Sequence, residues 1–408
     1  MHPMTNAPAM LPYGRHVIDD EDVAAVVAVL KSNALTGGPA VDQFERALAT
    51  VTGAADTIAC SSGTSALHLA VLALGLGPGD QVIVPSLTFL ATANCARYVG
   101  AEVIFADVDP ETGLMTPATF EQAVSRAVPG RVKAAIPVHL NGQACDMRGL
   151  KQVADRHGIA LIEDACHALG TTYPGNDTVP VGSGREAVAT CFSFHPVKTV
   201  AMGEGGAVTT NDPVLAATMR RMRGHGMERN AADSTVPEFA LAPDGTPNPW
   251  FYEMNEVGWN YRASDIHCAL GSSQLKKLPA FLNRRLELVA LYDAALKPLA
   301  PVVSTLGRTG GTVGWHLYVV LIDFAAIGRD RGTVMRALGA DGIGTQVHYF
   351  PVHLQPYYQR LYGRQSLPGA ETYYSRCLSL PLFPAMDDSD VTRVVEALAR
   401  ATGLTPLA

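Results

Sequence analysis

The chain lacks most of the short signals that settle a protein's class at a glance. It has no Cys-x-x-Cys pair, no long apolar run and no basic tract. Its seven cysteines (Cys60, Cys95, Cys145, Cys166, Cys191, Cys268 and Cys377) are odd in number and scattered. That argues against a disulfide framework and a zinc finger, and reads as buried free thiols in a reducing cytoplasm. No apolar stretch is long enough to span a bilayer, so no membrane segment is expected. The start, Met1 to Pro8, has no basic region followed by an apolar core and is read as a loose tail rather than a signal peptide. Charged residues make up only 17% and the formal net charge is -7, which argues against a nucleic-acid partner. There is no G-x-S-x-G elbow. Gly77-Pro78-Gly79 and Gly203-Glu204-Gly205-Gly206 do not have the spacing of a nucleotide-triphosphate loop. His348 and His353 flank a proline with no acid or cysteine close in sequence, so no metal site is expected.

What is present is apolar and alternating. The 408 residues are 48% hydrophobic, enough for a large core, and the length suggests two or three domain-sized units. Asp19-Asp20-Glu21-Asp22 opens a helix with carboxylates at its positive end, and Val23, Val26, Val27 and Leu30 follow at helical spacing. From Thr57 short apolar strands alternate with helices: 57–60, 81–85, 102–107, 132–138 and 159–164 read as strands. This predicts an α/β fold with a mostly parallel sheet covered on both faces. Residues 231–250 read as a long loop, 275–296 as a long helix and 346–349 as a short strand. The expected organisation is a tail over 1–12, a large domain over 13–274 and a smaller C-terminal α/β domain over 275–408.

In such sheets ligands sit beyond the C-terminal ends of the strands. The residues able to carry chemistry fall at those ends. Lys198 lies in a glycine-rich loop after the run 187–192. It reads either as a surface lysine of a hairpin or as the nucleophile that forms a Schiff base with pyridoxal phosphate. Gly63 and Thr64, in Ser61-Ser62-Gly63-Thr64-Ser65, open a helix and suit a phosphate; an ordinary cap is the alternative. Asp164 ends a buried strand and suits a protonated pyridine nitrogen, or it caps the next segment. His167 could bond a ring hydroxyl or be structural. Phe89 could stack on a flat ring or belong to the core. Asn260 could donate to a phosphate or close a turn. No chemistry is assigned to His195.

Together these stretches resemble one family. The markers are Ala34-Leu35-Thr36-Gly37-Gly38-Pro39, Ser62-Gly63-Thr64-Ser65-Ala66-Leu67, Thr88-Phe89-Leu90-Ala91-Thr92-Ala93, Glu163-Asp164-Ala165-Cys166-His167-Ala168-Leu169-Gly170, Ser193-Phe194-His195-Pro196-Val197-Lys198 and Asn260-Tyr261-Arg262. The chain is similar to the sugar-nucleotide aminotransferases of the DegT/DnrJ/StrS group, pyridoxal-phosphate enzymes of fold type I. The resemblance implies that Lys198 carries the cofactor and shuttles the proton, and that Asp164 pairs with the ring nitrogen. It places His167 at the ring hydroxyl and Phe89 over the ring. Gly63, Thr64 and Ser193 hold the phosphate. Asn260 reaches the phosphate of the neighbouring subunit's cofactor, which implies a homodimer with shared sites.

Within the family the chain looks most like C4 aminotransferases acting on UDP-linked 4-keto-6-deoxy-HexNAc sugars, as in pseudaminic acid biosynthesis, with L-glutamate as amino donor. By that resemblance Tyr13, Asn33, Ala34, Leu35, Thr36, Gln346, Val347, His348 and Tyr349 line the sugar-nucleotide site. Two departures stand out. Gly63 replaces the alanine of many relatives, and Ala201-Met202 replaces a usual threonine pair. A C3 aminotransferase, a dTDP- or GDP-sugar enzyme and a cofactor-binding regulator without catalysis are the alternatives. The absence of a DNA-binding module or basic tract speaks against the last.

Overall fold

The computed structural model describes residues 10–404. Most of the expected tail, residues 1–9, lies outside the described residues. Leu11 is tied down: its N–H donates to the Gly342 carbonyl at 2.9 Å and its carbonyl accepts from Gly344 N–H at 2.8 Å.

Seven strands form the central sheet: β1 (Asp56–Cys60), β2 (Gln81–Pro85), β3 (Glu102–Ala106), β4 (Val132–Ala135), β5 (Ala160–Asp164), β6 (Ala189–Ser193) and β7 (Gly206–Thr210). Their order is β1-β7-β6-β5-β4-β2-β3. The run from β6 to β3 is parallel, while β7 is antiparallel to both β1 and β6. Strands buried on both faces read as continuous apolar runs, and β2 and β5 are buried along nearly their whole length.

The connecting helices are short and capped. Helix α1 (Asp20–Leu30) takes Asp19 as N-cap in a reciprocal capping box with Asp22. Helix α2 (Pro39–Thr52) starts on a proline and ends on a left-handed Gly53. Helix α3 (Gly63–Ala73) is capped by Ser62 and Ser65. Helices α4 (Leu90–Tyr98), α5 (Pro117–Arg126), α6 (Met147–His157) and α7 (Pro213–Arg223) complete the layers. In α1 the valine pattern does not face the core. Asp22 is fully buried, with Lys277 at 2.8 Å and Gln274 at 2.7 Å, whereas Val23, Val27 and Leu30 are exposed.

The long helix α8 (Asp265–Ala295) begins ten residues before the expected start at Leu275. The reason is physical. Residues 271–275 are buried at every position, so no amphipathic stripe marks the first turns, and Gly271, Ser272 and Ser273 are weak helix formers. Its 31 residues run for about 46 Å at the usual rise. Cys268, Ala269, Leu275 and Leu278 pack in the large core, and Leu288, Val289 and Tyr292 pack in the second. The expected boundary at 274/275 therefore falls inside one continuous helix.

The second core lies around a three-stranded antiparallel sheet of β8 (Val303–Thr305), β9 (Tyr318–Ile322) and β10 (Cys377–Leu380), with α9 (Arg331–Ala340) and α10 (Asp388–Thr402) against it. Gln346–Tyr349 is not a strand. Only Gln346 pairs, with Ser379, and Pro351 has no N–H to extend a ladder. Between 231 and 250 the expected loop holds a short turn, Ala231–Asp233, and one helical turn, Pro237–Ala240.

Candidate active site

The C-terminal ends of β1, β2, β5 and β6 open into a cleft of about 710 Å³. Gly63, Thr64, Phe89, Asp164, His167, Ser193 and Lys198 all line it. So do Tyr13, Gln346, Val347, His348 and Tyr349.

At one end the start of α3 meets the end of β6. Ser62 and Ser65 hydroxyls are consumed by the cap, so the ordinary capping reading is correct for them. Gly63 and Thr64 are the first two residues of the helix, whose N–H groups have no intrahelical acceptor. A Cβ on Gly63 would lie 2.8 Å from the Ser193 Cβ, so glycine lets the helix start close onto Ser193. A Cβ on Gly206 would lie 2.2 Å from the Ser62 carbonyl oxygen, which fixes β7 against the same turn. These are the features of an anion cradle.

Lys198 sits on the cleft floor after a tight turn in which its N–H donates to the His195 carbonyl at 2.7 Å. Among the described residues its ammonium has no hydrogen-bond or ion-pair partner. Burial lowers its pKa, against the opposing pull of Cys166 and Asp164. The surface-hairpin reading of Lys198 is thereby removed. Asp164 Oδ1 accepts from Cys166 N–H at 3.1 Å, and its Oδ2 accepts from Thr92 Oγ1 at 2.7 Å. Its neighbour Glu163 points the other way, into a buried set with His139, Tyr173 and Thr190.

The opposite wall is a group of neutral imidazoles. His167 Nδ1 accepts from Asn141 N–H at 3.3 Å, so its proton is on Nε2, 3.1 Å from Tyr349 Oη. Burial, with help from Lys198 and His348, holds His167 well below its ordinary pKa. His348 is pushed down to about 3 by burial and by Lys198, and its Nδ1 bonds Ser379 Oγ at 2.7 Å. His316 lines the same wall, 4.5 Å ring to ring from His167, with a buried unpaired Nδ1. Phe89 is 56% exposed, which removes the core reading and leaves its ring over the cleft mouth.

Five expected residues do not line the cleft of their own chain. Asn33, Ala34, Leu35 and Thr36 are held at the start of α8. Thr36 bridges Ser264, and the Asp265 carboxylate accepts from Gly38 and Ala40 N–H at 2.8 and 3.0 Å. Asn260 is exposed on the nearby extended segment, where it bridges Gly224. His316, Cys166, Thr88, Glu204 and His195, to which the residue pattern assigns no chemistry, also line the cleft. A histidine at the head of β9 was the available signal for His316. Ala201-Met202 carries no cleft role: Met202 is fully buried and packs close to Gly205 and Gly271. His348 and His353 do not converge, since His353 turns to Ser86 and Glu371.

The donor set fits pyridoxal phosphate: an uncommitted amine, a carboxylate across from it and a helix N-terminus within one cleft. The architecture is that of the fold type I enzymes, which use this cofactor. The chain belongs to the DegT/DnrJ/EryC1/StrS aminotransferase family, whose sequence profile matches residues 16–399. It is 40% identical over 391 residues to the spore coat polysaccharide biosynthesis protein SpsC of Bacillus subtilis (strain 168), covering 95% of this chain and 96% of that one. Among solved structures it is similar to Helicobacter pylori PseC, an aminotransferase involved in the biosynthesis of pseudoaminic acid, with a TM-score of 0.85 and 28% identity over 97% of this chain and 99% of that one. It is equally similar to Spr1654 from Streptococcus pneumoniae in its PLP-form, with a TM-score of 0.85 and 28% identity over 97% of this chain and 99% of that chain. The protein is a pyridoxal-phosphate-dependent sugar aminotransferase. Among the described residues no helix is long and apolar enough to cross a membrane.

Proposed function

We propose that the protein transfers the amino group of L-glutamate to C4 of a UDP-linked 4-keto-6-deoxy-HexNAc, in the manner of pseudaminic acid biosynthesis. The observation that carries the reading is Lys198, a lysine of lowered pKa with no partner among the described residues, opposite Asp164 at the C-terminal edge of the sheet. The likeness to PseC supports the sugar class, and the likeness to SpsC supports a role in polysaccharide biosynthesis.

In this reading Lys198 anchors the cofactor and Asp164 faces its ring nitrogen. Gly63, Thr64 and Ser193 hold its phosphate, Phe89 covers one face and His167 stands at the ring hydroxyl. Bound pyridoxal phosphate supplies an electron sink at the amino-bearing carbon. With the cofactor bound, Lys198 would be the base that takes the proton from that carbon and the acid that returns it. Burial favours the neutral amine that this base must be. Tyr13, Gln346, Val347, His348 and Tyr349 bind the sugar nucleotide, and the neutral imidazoles leave its phosphates to other groups.

The same reading makes the enzyme a homodimer in the cytoplasm. Val23, Val27, Leu30, Trp250 and Val257 are exposed apolar side chains that a second copy would cover. Asn33–Thr36 and Asn260 then complete the partner's cleft rather than their own. All seven cysteines are free, as a reducing compartment requires.

The test is amino transfer from ¹⁵N-glutamate to a panel of UDP-, dTDP- and GDP-linked keto-sugars, read by mass spectrometry and NMR. Label at C4 of the UDP-HexNAc substrate is expected. Label only on another nucleotide, or at C3, overturns the substrate. Cofactor binding with no transfer from any donor favours the regulator.

A further inference from the structure

Asp164 is backed by two hydroxyls that the chemistry described so far does not use. Thr92 Oγ1 donates to Asp164 Oδ2 at 2.7 Å, and Thr88 Oγ1 lies 2.7 Å from Thr92 Oγ1. Thr92 has one hydroxyl proton and Asp164 takes it. The second bond must therefore run from Thr88 to Thr92. Thr92 is fully buried, and Thr88 nearly so.

The placement is not the usual one for a helical threonine. A threonine inside a helix commonly donates to the carbonyl four residues earlier. For Thr92 that residue is Thr88, yet Thr92 accepts from its hydroxyl and turns its own proton outward to the sheet. One relay thus joins the first turn of α4, which follows Phe89, to the end of β5, which carries Asp164. Cys166 N–H holds the other carboxylate oxygen. The carboxylate is fixed at both oxygens and still faces the cleft.

We propose that Thr92, oriented by Thr88, is a positioning residue that aims Asp164 at the cofactor ring and holds the ring-stacking Phe89 in register with it. The proposal rests on the assignment of Lys198 and Asp164 made above. Thr92 acts through Asp164 and touches neither substrate nor cofactor.

The test compares T92V, T92S and T88V as purified holoenzymes. A hydrogen bond to a charged group is worth enough that T92V should bind pyridoxal phosphate about tenfold more weakly by fluorescence titration. A well-held Asp164 keeps positive charge on the ring, which lowers the proton affinity of the nitrogen joined to Lys198. T92V should therefore move the pH midpoint of the bound cofactor's absorbance upward by about half a unit. T92S keeps the hydroxyl and should restore both readouts. T88V should show a smaller shift in the same direction. Thermal melting of the apoproteins separates this from misfolding; if T92V has no melting transition, T88V and T92S decide. Wild-type cofactor affinity and titration in folded T92V, or in folded T88V where T92V is unfolded, overturns the proposal. Borohydride reduction and peptide mapping of the wild type keep the two readings apart. No adduct on Lys198 means that the site assignment has failed; an adduct with unaltered variants means that the relay alone has failed.

Discussion

Arg285 and Lys198 are both cations withdrawn from bulk water, and the protein treats them in opposite ways. Arg285, midway along α8, is 1% exposed. Its Nη1 donates to the carbonyls of Trp315, His316 and Leu382 at 3.2, 3.2 and 2.9 Å. Burial pushes its pKa down to about 10, so it is still charged at neutral pH. Lys198 has no such acceptors among the described residues and shares its cleft with neutral imidazoles. The structural cation is held by main-chain acceptors at Nη1, whereas the one that must react is left without them. The two sites also meet: Arg285 holds the main chain of His316, whose ring lines the wall facing Lys198.

The largest expected difference comes from Lys198→Ala. Transamination should fall by about 10⁴-fold, the upper range for removing an acid–base group, while the melting temperature holds. Normal turnover in this variant would remove the distinction altogether. Arg285→Met should do the reverse. Losing a charged donor to three buried carbonyls should cost about 3 kcal/mol, seen as a lower denaturation midpoint, with turnover per folded molecule much less affected. Unchanged stability would show that the carbonyls need no cation.

Gly63→Ala tests the cradle beside Lys198. The added methyl would stand 2.8 Å from the Ser193 Cβ, an overpacking cost of about 1–2 kcal/mol. Apoprotein stability should fall by about that amount, and cofactor affinity should drop about tenfold by fluorescence titration. The smallest effect is in pH. The folded-state pKa of Lys198 lies below its ordinary 10.5. The unfolded chain thus holds more protons in the window between them, and stability rises with pH there. Lys198→Met should stabilise the apoprotein most below the lowered pKa, and the gain should fade as pH approaches 10.5. A gain that is flat with pH would mean that the lysine is not desolvated.

How much of this could be read from the residues depended on whether the signal was local. Strands β1 to β6 are short and mostly apolar, with β4 interrupted by the exposed Lys133, so their C-terminal ends, and Gly63, Phe89, Asp164, Ser193 and Lys198 upon them, are legible. Thr92 is not, because its bond to Asp164 joins residues 72 positions apart. His316 was hidden for the same reason, since its neighbour His167 is distant in sequence. The start of α8 escaped because a helix buried all round has no stripe. The exposed valines of α1 looked like a core-facing pattern, because periodicity reports an apolar face and not what covers it. Asn260 and Asn33–Thr36 were read as site residues by resemblance; geometry within one chain puts them at the surface.

The continuity of α8 has a consequence for engineering. Chimeras that exchange sugar specificity between relatives would be cut at the domain boundary expected from the residue pattern, near 274/275. Here that cut would sever a single rod whose first half is packed in one core and whose second half in the other. A seam before Ser264, on the extended segment that caps the helix, would keep the rod whole and carry Arg285 along with the Trp315, His316 and Leu382 carbonyls it binds.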